Sequence, residues 1–233
     1  MRLRVEFITL CALVVLAGGA WGFVGLLQIA GATEPHALDR QILLFFRNPA
    51  DLSDPIGPRW FEEAVRDFTS LGSVTVLLTV VIIAILFMVF SGRPRGALFL
   101  FVAVAGGQFL NSWLKLLIDR PRPDIVPPAV EVFTLSFPSG HAMLAAVTYL
   151  TVGALLARVV EGRLLKGYVM GVAVVLSVLV GISRLYLGVH WPSDVLAGLC
   201  AGAAWAVLCW LVARAVLSRR KRGEGLTEDA GGE

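Results

Sequence analysis

The chain has 233 residues, of which 57% are hydrophobic and only 16% are charged, with a formal net charge of +3. Soluble domains carry about a quarter charged residues, so this composition excludes an ordinary soluble domain and indicates a chain that folds in a lipid bilayer. The small net charge gives no argument for a nucleic-acid partner.

Six stretches are long and apolar enough to cross a bilayer as helices, which takes about 20 residues each. They are residues 7–29, 74–90, 97–118, 141–159, 167–187 and 194–217. Helices are the expected form because unpaired backbone groups are very costly in lipid. The sequence therefore predicts an all-α fold, an integral membrane bundle of six transmembrane helices that forms one domain over residues 1–217.

The first stretch has two interpretations. Two arginines at the start, an apolar run and the small residues 18–20 are typical of a cleavable signal peptide. The apolar run continues as far as Ile29, however, which is longer than a signal core needs. This length favours a span that is retained, with cleavage as the alternative.

Two regions outside the spans have their own character. Residues 30–73 form a long loop in which segments 37–47 and 60–68 mix apolar and charged residues at helical spacing. Both segments are predicted to be short helices at the membrane interface, in a loop that serves either as a lid or lipid-entry surface or as a packed cap. Residues 218–233 are predicted to be a tail that begins with a basic run near anionic headgroups and then becomes disordered.

The distribution of Lys and Arg predicts the orientation of the bundle. If the N-terminus lies in the cytoplasm, 12 of the 20 Lys and Arg residues fall on cytoplasmic segments and 8 on outer segments. The positive-inside rule then places both termini in the cytoplasm. We expect a multi-pass protein of the inner (plasma) membrane whose outer helix ends face the periplasm or the cell exterior.

Three polar clusters interrupt the apolar chain, and in this layout all of them fall at outer helix ends. The first contains Lys115 and Arg122, the second is the Pro-Ser-Gly-His run at 138–141, and the third runs from Ser183 to Asp194. Helix ends at one membrane face can converge. We therefore expect the three clusters to share one pocket.

The cations of these clusters suit an anionic ligand. Lys115, Arg122 and Arg184 lie near the membrane face. The planar fork of arginine matches phosphate oxygens and lysine adds a point charge. Three such groups can neutralise a phosphate and the charge that develops during its transfer. Taken singly, each of them is equally well explained by snorkelling to the interface.

The second cluster begins a helix. Ser139 is a candidate N-cap, and Gly140 leaves the backbone open to close approach. Helix N-termini bind phosphate through free N–H groups, so this turn is predicted to cradle an anion beside His141. An ordinary helix cap is the alternative if the run is considered alone.

The third cluster places His190 four residues before Asp194. A carboxylate at this spacing can accept the Nδ1 proton of the imidazole and leave Nε2 free to attack. The alternative is a structural histidine that is bonded to a carboxylate. The remaining histidine, His36, lies in the first outer loop and is interpreted as a surface residue.

Together the clusters resemble the three-part signature of the type 2 phosphatidic acid phosphatase superfamily. That signature is Lys-x6-Arg-Pro, Pro-Ser-Gly-His and Ser-Arg-x5-His-x3-Asp, and each fixed position is filled between Lys115 and Asp194. The resemblance implies hydrolysis of a lipid phosphate through a phosphohistidine at His190, with Asp194 as its orienting group and His141 as the acid that protonates the leaving oxygen. It also implies a set of phosphate-binding residues, Lys115, Arg122, Ser139, Gly140 and Arg184.

The resemblance implies neither a metal nor another cofactor, and Asp119 and Asp124 are interpreted as balancing the charges of Arg120 and of the membrane interface. The expected partner is a membrane lipid phosphate: undecaprenyl diphosphate, which the short chain and small loops favour slightly, phosphatidylglycerol phosphate, phosphatidic acid or a lipid A phosphate. The oligomeric state cannot be read from the sequence.

The principal alternative is a lipid phosphotransferase that uses the same phosphohistidine. The related vanadium haloperoxidases share the site but are soluble. Two more distant alternatives are a membrane transporter and a non-catalytic lipid-binding protein. A transporter would be expected to carry its charges near the midplane of the membrane, and a non-catalytic protein would be expected to lack a site residue.

Overall fold

The computed structural model describes residues 2–32, 34–128 and 134–230, and the side chains of residues 6–32, 34–128 and 134–218. Within these residues the chain forms helices and one short antiparallel hairpin. The helices are α1 (Arg2–Ala30), α2 (Ala37–Phe45), α3 (Arg59–Ser70), α4 (Val74–Phe90), α5 (Pro94–Leu117), α6 (Gly140–Val159), α7 (Arg163–Tyr186) and α8 (Pro192–Ala230). The strands are β1 (Arg47–Asn48) and β2 (Asp51–Pro55).

Five of these helices, α1, α5, α6, α7 and α8, are long and apolar enough to cross a membrane. Helix α4 has 17 residues and follows α3 after a bend of 50°, so the pair counts as a sixth span. Each predicted span coincides with one of these helices, and the ends differ by a few residues except at α8. The all-α membrane bundle predicted from the sequence is confirmed.

Helix α8 continues beyond residue 217, the predicted end of the last span. The tail predicted from residue 218 onward has a helical backbone as far as Ala230. A long helix that has already formed extends at little cost through residues that would not nucleate one. The side chains of the basic run at 219–222 and all of residues 231–233 lie outside the described part of the chain, so the contact of the tail with headgroups stays a prediction.

The first outer loop contains the two short helices that its sequence predicted, α2 and α3. The turn-forming residues between them pair as the hairpin β1–β2, in which Asn48 lies opposite Asp51. The carboxylate of Asp51 accepts hydrogen bonds from the backbone and the hydroxyl of Ser53, which fixes the second strand locally. The loop is thus a folded unit that begins directly after α1 and leads into α4.

Helix α6 lies at the centre of the bundle, with an unbroken buried run from Ala142 to Tyr149. Two glycines of α8 let its backbone approach α6 closely. A Cβ atom on Gly198 would lie 2.6 Å from the carbonyl oxygen of Ser139, and one on Gly202 would lie 2.5 Å from that of Met143. Small residues at such crossings are typical of packed membrane helices, and here they bring the start of α8 against the start of α6.

Helix α1 packs along α8 and covers one side of this junction. A Cβ atom on Gly19 would lie 3.0 Å from the carbonyl oxygen of Cys200, so the two backbones are close. Further along α1, the ring of Phe23 packs on Phe137 with their centroids 5.7 Å apart. Phe137 is fully buried just before the first turn of α6, so α1 contributes directly to the core beneath the polar helix ends.

A buried arginine joins the outer loop to the turn between α7 and α8. Arg47 is 2% exposed, and its guanidinium donates to the carbonyl oxygen of Tyr186 over 2.9 Å. The hydroxyl of Tyr186 donates in turn to the carbonyl oxygen of Ile56 over 2.8 Å. Gly188 has φ +71°, and a Cβ atom there would lie 2.5 Å from Nη2 of Arg47, so this turn requires glycine. We call the contacts of Arg47 with Tyr186 and Gly188 the Arg47 clamp.

Candidate active site

Four helix ends meet at one end of the bundle and carry the polar clusters. Lys115 lies in the last turn of α5, and Arg184 lies in the last turn of α7. Ser139 is the N-cap residue of α6, and Asp194 lies in the first turn of α8, which begins at Pro192. The convergence that the sequence predicted is therefore present in the structure.

His190 and Asp194 form the centre of this group. The Nδ1 atom of His190 lies 3.6 Å from Oδ2 of Asp194, which is longer than a hydrogen bond. The hydroxyl of Ser136 donates to this same Oδ2 and lies 3.4 Å from Nδ1, so it bridges the pair. The backbone N–H of Trp191 also donates to Oδ2 over 3.0 Å. In this geometry the contact between the two side chains runs through a serine that the sequence did not single out, and direct proton acceptance by Asp194 stays a prediction.

The other ring nitrogen of His190 faces a cation. Its Nε2 atom lies 3.2 Å from Nη1 of Arg122. A guanidinium can only donate, so Nε2 acts as the acceptor and the ring proton resides on Nδ1, next to Ser136 and Asp194. This tautomer places a lone pair on Nε2.

The environment of His190 keeps its ring uncharged. Burial lowers the pKa of His190 from 6.5 to about 4, although the adjacent carboxylate of Asp194 acts in the opposite direction. The side chain is 2% exposed, so there is almost no water to stabilise an imidazolium. His190 is therefore neutral at neutral pH.

Arg122 and Lys115 both contact the segment that precedes α6. Arg122 donates from Nε to the carbonyl oxygen of Thr134 over 2.7 Å and from Nη2 to its hydroxyl over 3.1 Å. Lys115 donates from Nζ to the carbonyl oxygen of Leu135. Burial lowers the pKa of Arg122, with Asp194 opposing this, but an arginine remains a cation under all ordinary conditions.

Two donors of the candidate site have no hydrogen-bond partner among the described residues. One is the fully buried hydroxyl of Ser139, which does not cap its own helix. The other is Nε of Arg184, whose Nη1 donates to the hydroxyl of Thr69 over 3.0 Å. Buried polar groups without partners are rare in folded proteins and require an explanation. An anion bound between these residues would satisfy both.

Gly140 and His141 lie where α6 meets its neighbours. A Cβ atom on Gly140 would lie 3.3 Å from Nδ2 of Asn111 and 3.6 Å from Cε of Lys115, so a side chain there would enter the site. His141 packs against Gly72, because a Cβ atom added to Gly72 would lie 3.3 Å from the Cβ atom of His141. It interacts electrostatically with four other site groups, Arg184, His190, Arg122 and Lys115. All eight residues proposed from the sequence are therefore neighbours, and their roles stay predictions.

His36 is exposed, as predicted, and lies outside the candidate site. Its ring nitrogen Nδ1 accepts a hydrogen bond from the backbone N–H of Leu38 over 3.3 Å, so it caps the start of α2. The sequence did not predict this role because histidine is not among the common capping residues.

The partners predicted for Arg120 are wrong. Asp119 and Asp124 are both exposed, and neither is bonded to Arg120 in the described part of the chain. Arg120 instead donates from Nη2 to Asp39 over 3.0 Å and from Nη1 to Asp194 over 2.6 Å. The buried carboxylates prevail because a buried guanidinium needs buried partners. Asp39 lies 81 residues away along the chain, and no sequence signal marks it.

A cavity of about 980 Å³ opens beside the site, between the ends of α1 and α5. Its lining is mixed: part of it is apolar, with Leu27, Ala30, Leu117 and Trp191, and part is charged, with Glu34, Arg40, Asp119, Arg120, Arg122 and Asp124. No group of three His, Cys, Asp or Glu residues that could hold a metal ion is found within the described residues. The site can thus accommodate an anion next to an apolar chain.

Comparison with known proteins points to the same family as the sequence signature does. The model of the PAP2 superfamily matches residues 96–217, which contain all eight residues proposed from the sequence. The chain is 38% identical over 144 residues to phosphatidylglycerophosphatase B of Bacillus subtilis (strain 168), a match that covers 61% of this chain and 70% of that protein. It is 42% identical over 93 residues to decaprenylphosphoryl-5-phosphoribose phosphatase of Mycobacterium tuberculosis (strain CDC 1551 / Oshkosh), covering 39% of this chain and 46% of that one.

A solved structure has the same architecture. It is the crystal structure of the first transmembrane PAP2 type phosphatidylglycerolphosphate phosphatase from Bacillus subtilis. The two structures superpose with a TM-score of 0.76 at 30% sequence identity, and the match covers 87% of this chain and 98% of the other.

Proposed function

Because the chain belongs to the PAP2 superfamily and its relatives are membrane lipid phosphatases, we propose that it hydrolyses a lipid phosphate by forming a phosphohistidine at His190. The observation that carries this proposal is the state of His190, which is buried and neutral, with Nε2 directed at the guanidinium of Arg122. A neutral imidazole whose Nδ1 proton is held by other groups presents the lone pair that attack on phosphorus requires.

The cations around His190 are proposed to bind the transferred phosphoryl group. Arg122 and Lys115 would shift part of their hydrogen bonding from the 134–135 segment to phosphate oxygens, which would also free Nε2 of His190. The unpartnered donors of Ser139 and Arg184 supply further contacts. The start of α6 adds the positive end of a helix dipole. Charge stabilisation of this kind is the main contribution that a protein makes to phosphoryl transfer.

The reaction then has two steps. Nε2 of His190 forms a bond to phosphorus while the bond to the lipid oxygen breaks, and His141, protonated when the anionic phosphate is bound beside it, donates its proton to that leaving oxygen. In the second step His141 accepts a proton from water, and the resulting hydroxide displaces the phosphoryl group from His190. The products are a dephosphorylated lipid and inorganic phosphate, and no metal takes part.

The proposed substrate is a lipid phosphomonoester of the phosphatidylglycerol phosphate class. Support comes from Bacillus subtilis, where both the sequence match and the structural match are named for this activity and are covered by the chain to 70% and 98%. Undecaprenyl diphosphate, which the sequence favoured slightly, becomes a secondary candidate. The cavity between the ends of α1 and α5 has a mixed lining, and we propose that its apolar part, which includes Leu27 and Leu117, contacts the lipid near Arg122. We place this opening on the outer face of the inner membrane, following the charge bias.

The test is phosphate release by the purified protein in detergent, with a panel of phosphatidylglycerol phosphate, phosphatidic acid, undecaprenyl diphosphate and lipid A. We expect the highest kcat/KM with phosphatidylglycerol phosphate. His190→Ala is expected to remain folded and to release no phosphate. The matched control is His36→Asn, because asparagine preserves the helix cap outside the site.

Two outcomes would change the proposal. Normal hydrolysis by His190→Ala would exclude His190 as the nucleophile. The appearance of a newly phosphorylated second lipid in place of free phosphate would identify the phosphotransferase alternative, which uses the same intermediate.

A further inference from the structure

One carboxylate of the outer loop reaches into the start of α8. Asp39 of α2 is 4% exposed although it belongs to a loop that the family signature does not include. Its Oδ1 atom accepts a hydrogen bond from the backbone N–H of Ser193 over 2.9 Å, and Oδ2 accepts one from the hydroxyl of Ser193 over 2.6 Å. The first N–H groups of a helix have no partner within it, so Asp39 caps α8 from another element.

The same carboxylate shares a guanidinium with Asp194. Arg120 donates from Nη2 to Asp39, and from Nη1 to Asp194 and to the hydroxyl of Ser193. Its guanidinium also lies 5.8 Å from the ring centroid of Trp191, which restricts its movement further. One buried cation is therefore held between two buried carboxylates.

In this arrangement the two oxygens of Asp194 have different hydrogen-bond partners. Oδ1 is bonded to Arg120, whereas Oδ2 accepts from Ser136 and Trp191 and is the oxygen next to Nδ1 of His190. With Oδ1 anchored, the carboxylate cannot rotate away from the imidazole. The orientation of His190 thus depends on the position of Arg120.

Asp39 also affects the charge that Asp194 presents to His190. An arginine paired with Asp194 alone would neutralise that carboxylate and weaken its attraction for the Nδ1 proton. Because Asp39 takes the other half of the guanidinium, Arg120 can anchor Asp194 without fully compensating its charge. The surface carboxylate Asp119, although next to Arg120 in sequence, makes no such contact within the described residues.

We propose that Asp39 is a positioning residue of the active site, which acts through Arg120 and Ser193 to hold Asp194 and His190 in the geometry for phosphoryl transfer. The inference rests on the proposed function, since it presupposes that His190 is the nucleophile. It assigns to the first outer loop a part in catalysis that is separate from contact with the substrate.

The test compares Asp39→Asn with Asp67→Asn, an exposed carboxylate of the same outer loop, in the full-length protein in detergent, using the lipid phosphate that the wild type hydrolyses best. Asparagine retains an oxygen that can accept the hydrogen bond from the start of α8, but it removes the negative charge that faces Arg120. We expect Asp39→Asn to lower kcat by about tenfold to a hundredfold, because a displacement of about 1 Å in a reacting group has effects of this size. KM should change by less than about threefold, since no substrate contact is lost. Asp67→Asn should match the wild type.

Two further variants keep the inference testable. In an Arg120→Gln background, the additional loss from Asp39→Asn should be small, because the residue through which Asp39 acts is already absent. If either of these proteins fails to fold, Ser193→Ala probes the same link and should lower kcat by about threefold to tenfold, because it removes the hydroxyl that bonds both Asp39 and Arg120.

Several results would overturn the inference. One is an Asp39→Asn variant with wild-type kcat, even if its melting temperature is lower, since that would show a purely structural role. Another is a rise in KM with unchanged kcat, which would indicate substrate binding. A wild-type kcat in Ser193→Ala would also overturn the inference. An active His190→Ala variant would refute the proposed function itself, whereas an inactive His190→Ala beside a fully active Asp39→Asn would refute only this inference.

Discussion

Replacing Gly198 by alanine should separate α8 from α6 at the site and thereby impair catalysis. The new Cβ atom would lie 2.6 Å from the carbonyl oxygen of Ser139 and 3.1 Å from the backbone nitrogen of Met143, where ordinary contact begins at 3.4 Å. Relief of the first contact requires the helices to move apart by about 0.8 Å, the difference between the 2.6 Å contact and the 3.4 Å at which ordinary contact begins.

That displacement acts on the hydrogen bond from the N–H of Ser139 to the carbonyl oxygen of Asp194, which is 3.0 Å long and crosses the same junction. A shift approaching 1 Å in catalytic groups lowers rates by about a hundredfold, so we expect kcat/KM to fall by about tenfold to a hundredfold. Overpacking of this kind also destabilises a fold by about 1–3 kcal/mol. The assay is phosphate release in detergent, together with the melting temperature.

Two glycines serve as controls for this prediction. Gly171 of α7 has no neighbour within 4 Å of an added Cβ, so Gly171→Ala should leave kcat/KM unchanged and raise the melting temperature slightly. Gly202 contacts α6 as tightly as Gly198 does but lies one turn further from the site, so Gly202→Ala should lose stability with a smaller loss of activity. The reasoning is refuted if Gly198→Ala retains wild-type kcat/KM or loses no more activity than Gly202→Ala.

Further predictions concern the histidine and the ions. Ser136→Ala should lower kcat/KM by about tenfold, because it removes the hydroxyl that bridges His190 and Asp194, whereas Ser177→Ala, which loses only a hydrogen bond within α7, should be unaffected. Since the folded-state pKa of His190 is lowered to about 4, activity should persist down to about pH 5 and be lost as the ring gains a proton near pH 4. The acid limb of the pH profile that belongs to His190 should stay in place when a substrate with a different phosphate pKa is used, and a fixed acid limb near pH 6.5 would contradict this. Chelators should leave the rate unchanged and vanadate should inhibit, because it mimics five-coordinate phosphorus; inactivation by a chelator that is reversed by added metal would refute the metal-free mechanism.

The sequence predicted the parts of the fold that follow from local composition. Each span is an apolar run of sufficient length, and this signal places helix ends such as Val74–Phe90 directly. The residues of the candidate site could also be proposed from the sequence, because Lys115, His141 and His190 are polar groups at helix ends in an otherwise apolar chain. The structure shows that those helix ends are neighbours. From the sequence this could be expected only because the number of spans puts all of them on the same face of the membrane.

What the sequence did not predict depends on contacts between distant segments. Asp39 is one of several acidic residues in the first outer loop, and only the packing of α2 against α8 distinguishes it from its exposed neighbours. Ser136 likewise precedes the recognised Pro-Ser-Gly-His run and gains its role from the distance to Asp194. Arg120 was paired with the carboxylates nearest in sequence, although a buried guanidinium selects partners by burial.

The Arg47 clamp has a consequence for protein engineering. The outer segment is not an interchangeable module, because Arg47 is bonded to the carbonyl oxygen of Tyr186, four residues before the proposed nucleophile. A chimera that receives residues 30–73 from a relative would have to import a matching arginine and retain a glycine at position 188, since any larger residue there would collide with the guanidinium. Grafts designed to exchange lipid preference between such phosphatases should therefore transfer the loop and the 186–190 turn together.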